Sequence, residues 1–265
     1  MIAILFLISV ESSIFLKLTP GVMAQGLGGS SIFVDEGLAV FHNPACVQDR
    51  IFNFTLSRWL YATNYLAAGG NYDDYSFGLT YMNYGQISGY DELGNPTDIF
   101  TPYDLCVALG RRFGMLGIGI KGFTERIADR TLYGLAMTGG LLMKRGALSF
   151  GVKVDNLGKE FSENTAIPFF SAIGLKYNIS PDLAVSIEGR APDLELLSGI
   201  SYDYQDLTLL LGAKYQQDMS DYANIADNLG FTGGVLISVD IYRIGYSIVY
   251  GYQSIAHQFS VSITP

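Results

Sequence analysis

Residues 242–250 read YRIGYSIVY. Tyr242, Ile244, Tyr246, Ile248 and Tyr250 fall on one side of an extended chain, and Arg243, Gly245 and Ser247 fall on the other. A period of two is the signature of a strand with one apolar face and one polar or small face. The same rhythm precedes it. Phe52, Phe54 and Leu56 alternate with Asn53, Thr55 and Ser57, and Tyr75, Phe77, Leu79 and Tyr81 alternate with Ser76, Gly78 and Thr80. Leu148 to Asp155, Ile173 to Ile179, Leu183 to Arg190 and Leu207 to Gln216 repeat it, and Ile255 to Ile263 closes the chain in the same way.

The runs are about ten residues long, which suits a tilted strand crossing a bilayer better than a soluble sheet. Counting them gives about fourteen, an even number suited to a closed barrel. Closure satisfies every backbone group in lipid, which an open sheet cannot do. The expected fold class is therefore all-β, a transmembrane antiparallel β-barrel. Tyr72, Tyr103, Tyr177, Tyr204, Tyr215, Tyr250 and Tyr252 stand near strand ends as interfacial girdles would, with Trp59 in the same belt. Asn156-Leu-Gly, Ser180-Pro-Asp and Ala191-Pro-Asp read as turns. Longer connections are expected at 85–101, 156–166 and 217–229.

Composition narrows the function classes. Of 265 residues, 49% are hydrophobic and only 15% charged, against about 25% charged in soluble domains. The net charge of −9 excludes a phosphate-binding basic stripe, so nucleic acid is not an expected partner. Cys46 and Cys106 permit one disulfide or two free thiols. Neither a metal site nor a cofactor is expected. His42 and His257 are the only histidines. A barrel hydrolase needs Ser, His and an orienting group together, and His257 lies in phase with the apolar face beside Phe259. No catalytic residue is expected, and the chain reads as a non-enzyme.

Residues 1–10, MIAILFLISV, are an apolar run too short to span a bilayer as a helix. With small residues at cleavage spacing in Val10-Glu11-Ser12, the run reads as the apolar region of a signal peptide over 1–12, an ordinary apolar strand being the alternative. Residues 26–45, GLGGSSIFVDEGLAVFHNPA, do not alternate. The lysine of a phosphate loop and the βαβ unit of a dinucleotide site are both missing. Asp35-Glu36 reads first as a solvated acidic pair. Asn43-Pro44 reads as an extended step and a tight turn into the first strand.

Residues 14–47, IFLKLTPGVMAQGLGGSSIFVDEGLAVFHNPACV, resemble the N-terminal signature of the PorV/PorQ family within the FadL-like outer-membrane superfamily. The matching features are Phe15-Leu16-Lys17, Gly21, Ala24, Gly26 to Gly29, Asp35-Glu36 and Asn43-Pro44-Ala45. The resemblance continues over 154–177 and 242–263. The chain departs from the pattern at His42, at Cys46, and in its ending SVSITP.

The resemblance implies a bacterial outer-membrane barrel over 50–265 with an N-terminal luminal plug, or hatch, over 13–49. Gly26, Gly28, Gly29, Asp35, Glu36, Phe41, Asn43, Pro44 and Ala45 are its expected residues. Ile32, Phe33, Val34 and Leu38 would supply its apolar body. Gly78, Gly119, Gly151, Gly174 and Gly212 would leave room for it on the wall. Lys121, Lys153, Lys176, Arg190 and Lys214 are expected to reach an amphipathic ligand. The implied partners are outer-membrane lipid and a long-chain fatty acid or other hydrophobic ligand. The alternative partners are secreted cargo or the machinery of type IX secretion.

Overall fold

The computed structural model describes residues 12–47, 50–58, 63–90, 93–217, 228–251 and 254–265. The signal-peptide run, Trp59, Tyr252 and most of 217–229 lie outside them. Sixteen strands follow a short N-terminal segment: β1 (Ile51–Arg58), β2 (Asn64–Tyr72), β3 (Tyr75–Asn83), β4 (Ile87–Tyr90), β5 (Pro96–Phe100), β6 (Tyr103–Phe113), β7 (Leu116–Ile127), β8 (Arg130–Arg145), β9 (Leu148–Glu160), β10 (Phe170–Asn178), β11 (Leu183–Ala191), β12 (Glu195–Tyr204), β13 (Leu207–Gln216), β14 (Leu229–Val239), β15 (Tyr242–Gly251) and β16 (Ser254–Ile263). Fourteen of them form one closed antiparallel barrel, and β1 pairs with β16 to seal it. β4 and β5 make a separate hairpin inside the connection between β3 and β6.

The alternation read from sequence is the alternation of inside and outside. Along β1, Ile51, Asn53, Thr55 and Ser57 are buried while Phe52, Phe54, Leu56 and Arg58 are exposed. Val107, Leu109, Ile118, Ile120, Leu211 and Ile244 are likewise exposed on their strands. A soluble sandwich turns its apolar faces inward; here they form the outer surface, which is the arrangement a bilayer stabilises. Tyr72, Tyr75, Tyr177, Tyr204 and Tyr242 stand exposed at one end of the wall, and Tyr133 and Tyr250 toward the other. Amphipathic rings at those levels suit the two interfaces.

The two ends differ. At one lie the turns 73–74, 114–115, 146–147, 205–206 and 240–241, together with 179–182. The other carries the hairpin-bearing connection 84–102 and the connection 161–169. Short turns face the periplasm in such barrels and long loops face outward.

One expected turn is corrected. Asn156-Leu-Gly does not end a strand, because β9 continues to Glu160. The β8–β9 register shifts between Met137 and Gly139, and Asn156 has φ 55°. A left-handed asparagine inserted in this way makes a β-bulge. Its effect is to point two successive residues, Asp155 and Asn156, into the interior, where both are buried.

Residues 12–47 are largely buried against the inward faces of the strands. Ser12 N donates to Ala166 O at 3.0 Å, and Ser13 N donates to Glu125 Oε2 at 2.9 Å, both at the long-loop end. A short helix α1 (Val22–Gly26) packs on β13 to β15, with Val22, Leu27, Leu210 and Leu236 in one apolar cluster. Pro44–Cys46 form a 3-10 turn beside Gly117, next to the turn 114–115. The segment therefore runs the length of the barrel interior before β1 begins.

Candidate functional site

The interior site is the surface between this segment and the wall. Two groups of charged wall residues grip the segment. The first is on β11. Glu188 Oε2 accepts from Ser30 Oγ at 2.9 Å, Ser31 N at 2.8 Å and Ile32 N at 3.1 Å. Arg190 Nε donates to Glu188 Oε1 at 2.7 Å, and Arg190 Nη2 donates to Gly29 O at 2.6 Å. Glu195 joins both Arg190, at 3.4 Å, and Lys214, at 2.8 Å.

The second group is built by the bulge. Asp155 lies 2.5 Å from Lys121 Nζ and 2.8 Å from Lys153 Nζ, and it accepts from Thr138 Oγ1 at 2.5 Å. Lys153 donates to Phe41 O at 3.1 Å, and Asn156 Nδ2 donates to Leu16 O at 3.2 Å. The bulge thus reaches the segment at two points 25 residues apart in sequence, Leu16 and Phe41.

Elsewhere the fit is steric. Asn43 and Pro44 lie where a side chain on Gly140 would be, and Pro44 and Ala45 lie where one on Gly117 would be. Phe41 occupies the space over Gly78, Ile32 that over Gly151, and Phe33 that beside Gly174. Val40 sits over Gly119, and Leu27 and Gly28 approach Gly212. Gly28 has φ 78° with the carbonyls of Ser198 and Ala213 directly beside it, so both its conformation and its clearance need glycine. Asn43 Oδ1 caps the 3-10 turn by accepting from Ala45 N at 3.0 Å, and its Nδ2 donates to Ile32 O at 3.2 Å. Gly26 O accepts from Thr232 Oγ1 at 3.0 Å.

Both acids of the pair accept hydrogen bonds from protein donors, Glu36 buried and Asp35 half-buried. Glu36 is buried and accepts from Met23 N at 3.1 Å, while Asp35 accepts from Asn71 Nδ2 at 2.5 Å. Burial pushes the Glu36 carboxyl up to about 8, with the Met23 and Ala24 amides opposing it and Asp35 reinforcing it. His42, fully buried with Nε2 2.7 Å from Pro20 O, is driven by burial down to about 4. Cys46 and Cys106 are free, buried thiols.

Four of the five expected luminal cations have carboxylate partners in the barrel. Lys121, Lys153, Arg190 and Lys214 are each bound to a carboxylate. Four cations share three carboxylates, Asp155, Glu188 and Glu195, so each has an ion-pair partner while Lys121 and Lys153 divide one between them. Lys176 differs. Among the described residues it makes no ion pair of 4 Å or less, and it lines a cavity of about 420 Å³ at the short-turn end, with Met23, Ala184, Ser201 and Asp203. A narrow cleft lined by Leu27, Phe33, Val34 and Lys176 continues from it between the segment and β11–β12. The partners that sequence reading missed, Asp155 and Glu188, had a usable signal. Each stands two residues from its cation, Lys153 or Arg190, and so on the same strand face.

No protein-family model matches the chain, and no curated protein matches it by sequence. Solved structures do. The Pseudomonas putida toluene transporter TodX superposes with a TM-score of 0.62 at 13% identity, over 96% of this chain and 98% of its own. A deltaS2S3 mutant of TodX, titled a monoaromatic hydrocarbon channel, gives 0.66 at 13% identity, over 93% and 99%. A Pseudomonas aeruginosa FadL homologue gives 0.54 at 12% identity, over 91% and 97%. The chain shares their barrel fold. With its apolar outer surface, that barrel belongs in the bacterial outer membrane.

Proposed function

We propose that this barrel passes hydrophobic or amphipathic molecules across the outer membrane, and that residues 13–49 act as its luminal plug. The observation that carries the reading is Lys176, without an ion pair among the described residues, at the mouth of a narrow cleft bounded by Met23, Leu27, Phe33 and Val34. The wider cavity at its opening can take a small aromatic ring or a short alkyl chain, and a carboxylate suits the ammonium there. The fold shared with the toluene transporter and the FadL homologue supports the same substrate class. Placing the chain more finely, in the PorV/PorQ family, rests on the sequence signature. No residue is assigned a catalytic role.

Proteoliposome uptake of a labelled long-chain fatty acid and of toluene tests the reading. Lys176→Gln should weaken fatty-acid uptake about tenfold and leave toluene uptake unchanged. Replacing Asn43-Pro44-Ala45 with Ala-Gly-Ala should leave the barrel folded and raise small-solute leakage. Absence of uptake by the wild type, with failed delivery of secreted proteins in a deletion strain, would assign the chain to type IX secretion instead. Unchanged leakage in the triple variant would reduce the Asn-Pro-Ala step to a turn.

A further inference from the structure

The outer wall carries a concavity that the transport reading does not use. It holds about 470 Å³ and lies on β15, β16, β1, β2 and β3 near their long-loop ends. Strand register lays its outward side chains in two rows. Tyr246, Phe259, Leu56, Leu66 and Tyr81 are successive partners across the five strands and make an apolar row. One step toward the loops, His257, Arg58 and Asn64 are successive partners and make a polar row. The pairing of β1 with both neighbours is continuous from Phe52 to Arg58, so the concavity opens outward and not into the lumen.

The polar row is equipped for an anion. Arg58 is exposed and forms no ion pair among the described residues. Tyr246 Oη lies 2.7 Å from His257 Nδ1. A phenol donating there leaves the imidazole Nε2 as a second donor beside the guanidinium. The Asn64 side chain adds an amide to the same row. A guanidinium is the side chain best suited to a phosphate, which it meets with paired donors.

We propose that this concavity binds a membrane lipid with an anionic, phosphate-bearing headgroup. The acyl chain lies on the apolar row, against Tyr246, Phe259, Leu56 and Leu66, and the phosphate meets Arg58 and His257. The height suits it. The apolar row belongs to the bilayer-facing surface, and the polar row stands one step below Tyr250 and Ile255 at the loop end of that surface. Among the described residues lining the concavity, the Arg58 guanidinium is the one full charge, and it supplies the complement to a phosphate. The site stands independently of transport, because no luminal side chain contributes a charge to it.

The test uses the full chain in a neutral maltoside detergent, with lipid retention read by native mass spectrometry. Dioleoyl phosphatidic acid is the probe, dioleoyl phosphatidylcholine the control, and inorganic phosphate the competitor. The wild type should retain phosphatidic acid in preference to phosphatidylcholine. Arg58→Ala should weaken that retention about tenfold, and Arg58→Lys by much less. Phe259→Ala should weaken retention of the lipid while the headgroup preference remains. Heat-shifted gel mobility confirms that each variant is folded. Equal retention of phosphatidic acid by the wild type and Arg58→Ala overturns the proposal. So does equal retention of the two lipids by the wild type. Displacement by inorganic phosphate at the lipid's own concentration also overturns it, because the acyl groove would then contribute nothing.

Discussion

Residues 29–32 and residues 43–45 meet the same wall on different terms. The first stretch is held by charge: one carboxylate, Glu188, takes three donors from it, and Arg190 takes the Gly29 carbonyl. The second is held by shape: Asn43, Pro44 and Ala45 fill the places of side chains that Gly117 and Gly140 lack. A charged grip fails when one partner is removed, since the other stays behind as a buried, unpaired ion. A steric seat, here with one long hydrogen bond from Asn43 Nδ2 to Leu141 O at 3.4 Å, fails when volume is added or removed.

The largest effect should therefore come from the charged side. Glu188→Ala strands Arg190 with Glu195 alone, 3.4 Å away, and leaves three donors of the segment unpaired. A loss of about 3 kcal/mol is expected, seen as a lower temperature for the heat-induced gel shift. A variant as heat-resistant as the wild type would mean that water replaces the carboxylate and that the contrast is false.

On the steric side, Gly140→Val adds volume where Asn43 and Pro44 lie. Overpacking of about 1–3 kcal/mol should push the turn out of its seat and leave barrel pairing intact. Small-solute leakage into proteoliposomes should rise. Gly139→Val is the matched control, because nothing lies within 4 Å of a side chain at that position. Equal leakage from the two variants would remove the seat.

The last test is a pH dependence at Glu36, which lies in sequence between the two stretches and accepts from the Met23 amide of α1. Its carboxyl is raised from 4.5 to about 8, so the folded state favours the protonated form. That stabilisation is complete below about 4.5 and is lost as pH rises through about 8. His42 has the opposite sign: lowered from 6.5 to about 4, it weakens the fold as pH falls through that interval. Leakage should grow between pH 6 and 9 in the wild type, and Glu36→Gln should flatten that rise. A wild-type profile unchanged by Glu36→Gln would exclude this carboxyl as its source.

The wall was legible because alternation is a local property and lipid demands it on every strand. The glycine positions were legible too: Gly78, Gly151 and Gly212 share the phase of the polar side chains, and small residues on that face leave space. The bulge was not. Asn156-Leu-Gly has the composition of a turn, and only the pairing of β8 with β9 turns it into an inserted residue. Nor was the loss of free charge on Lys121. Its partner Asp155 lies on another strand, 34 residues away, and local alternation does not show which inward side chains of different strands meet. Asp35-Glu36 misled because an acidic pair is usually hydrated, and a barrel interior supplies amides in place of water.

The position of the segment also fixes an order of events. Residues 12–47 precede β1 in the chain, yet β1 is half of the β1–β16 junction that closes the ring. Once that junction forms, the interior is a tube with strands on every side, and the segment spans it from Ser13 at one mouth to Ala45 at the other. Drawing the 33 residues from Ser13 to Ala45 lengthwise through a finished tube would carry Glu36 and His42 past Asp155, Glu188 and their partner cations. Wrapping avoids that passage: the strands assemble around a segment already lying among them, and the first strand meets the last only when it is enclosed. The β1–β16 junction is then the final seam of assembly, and the chain's earliest residues are the form around which the wall is cast.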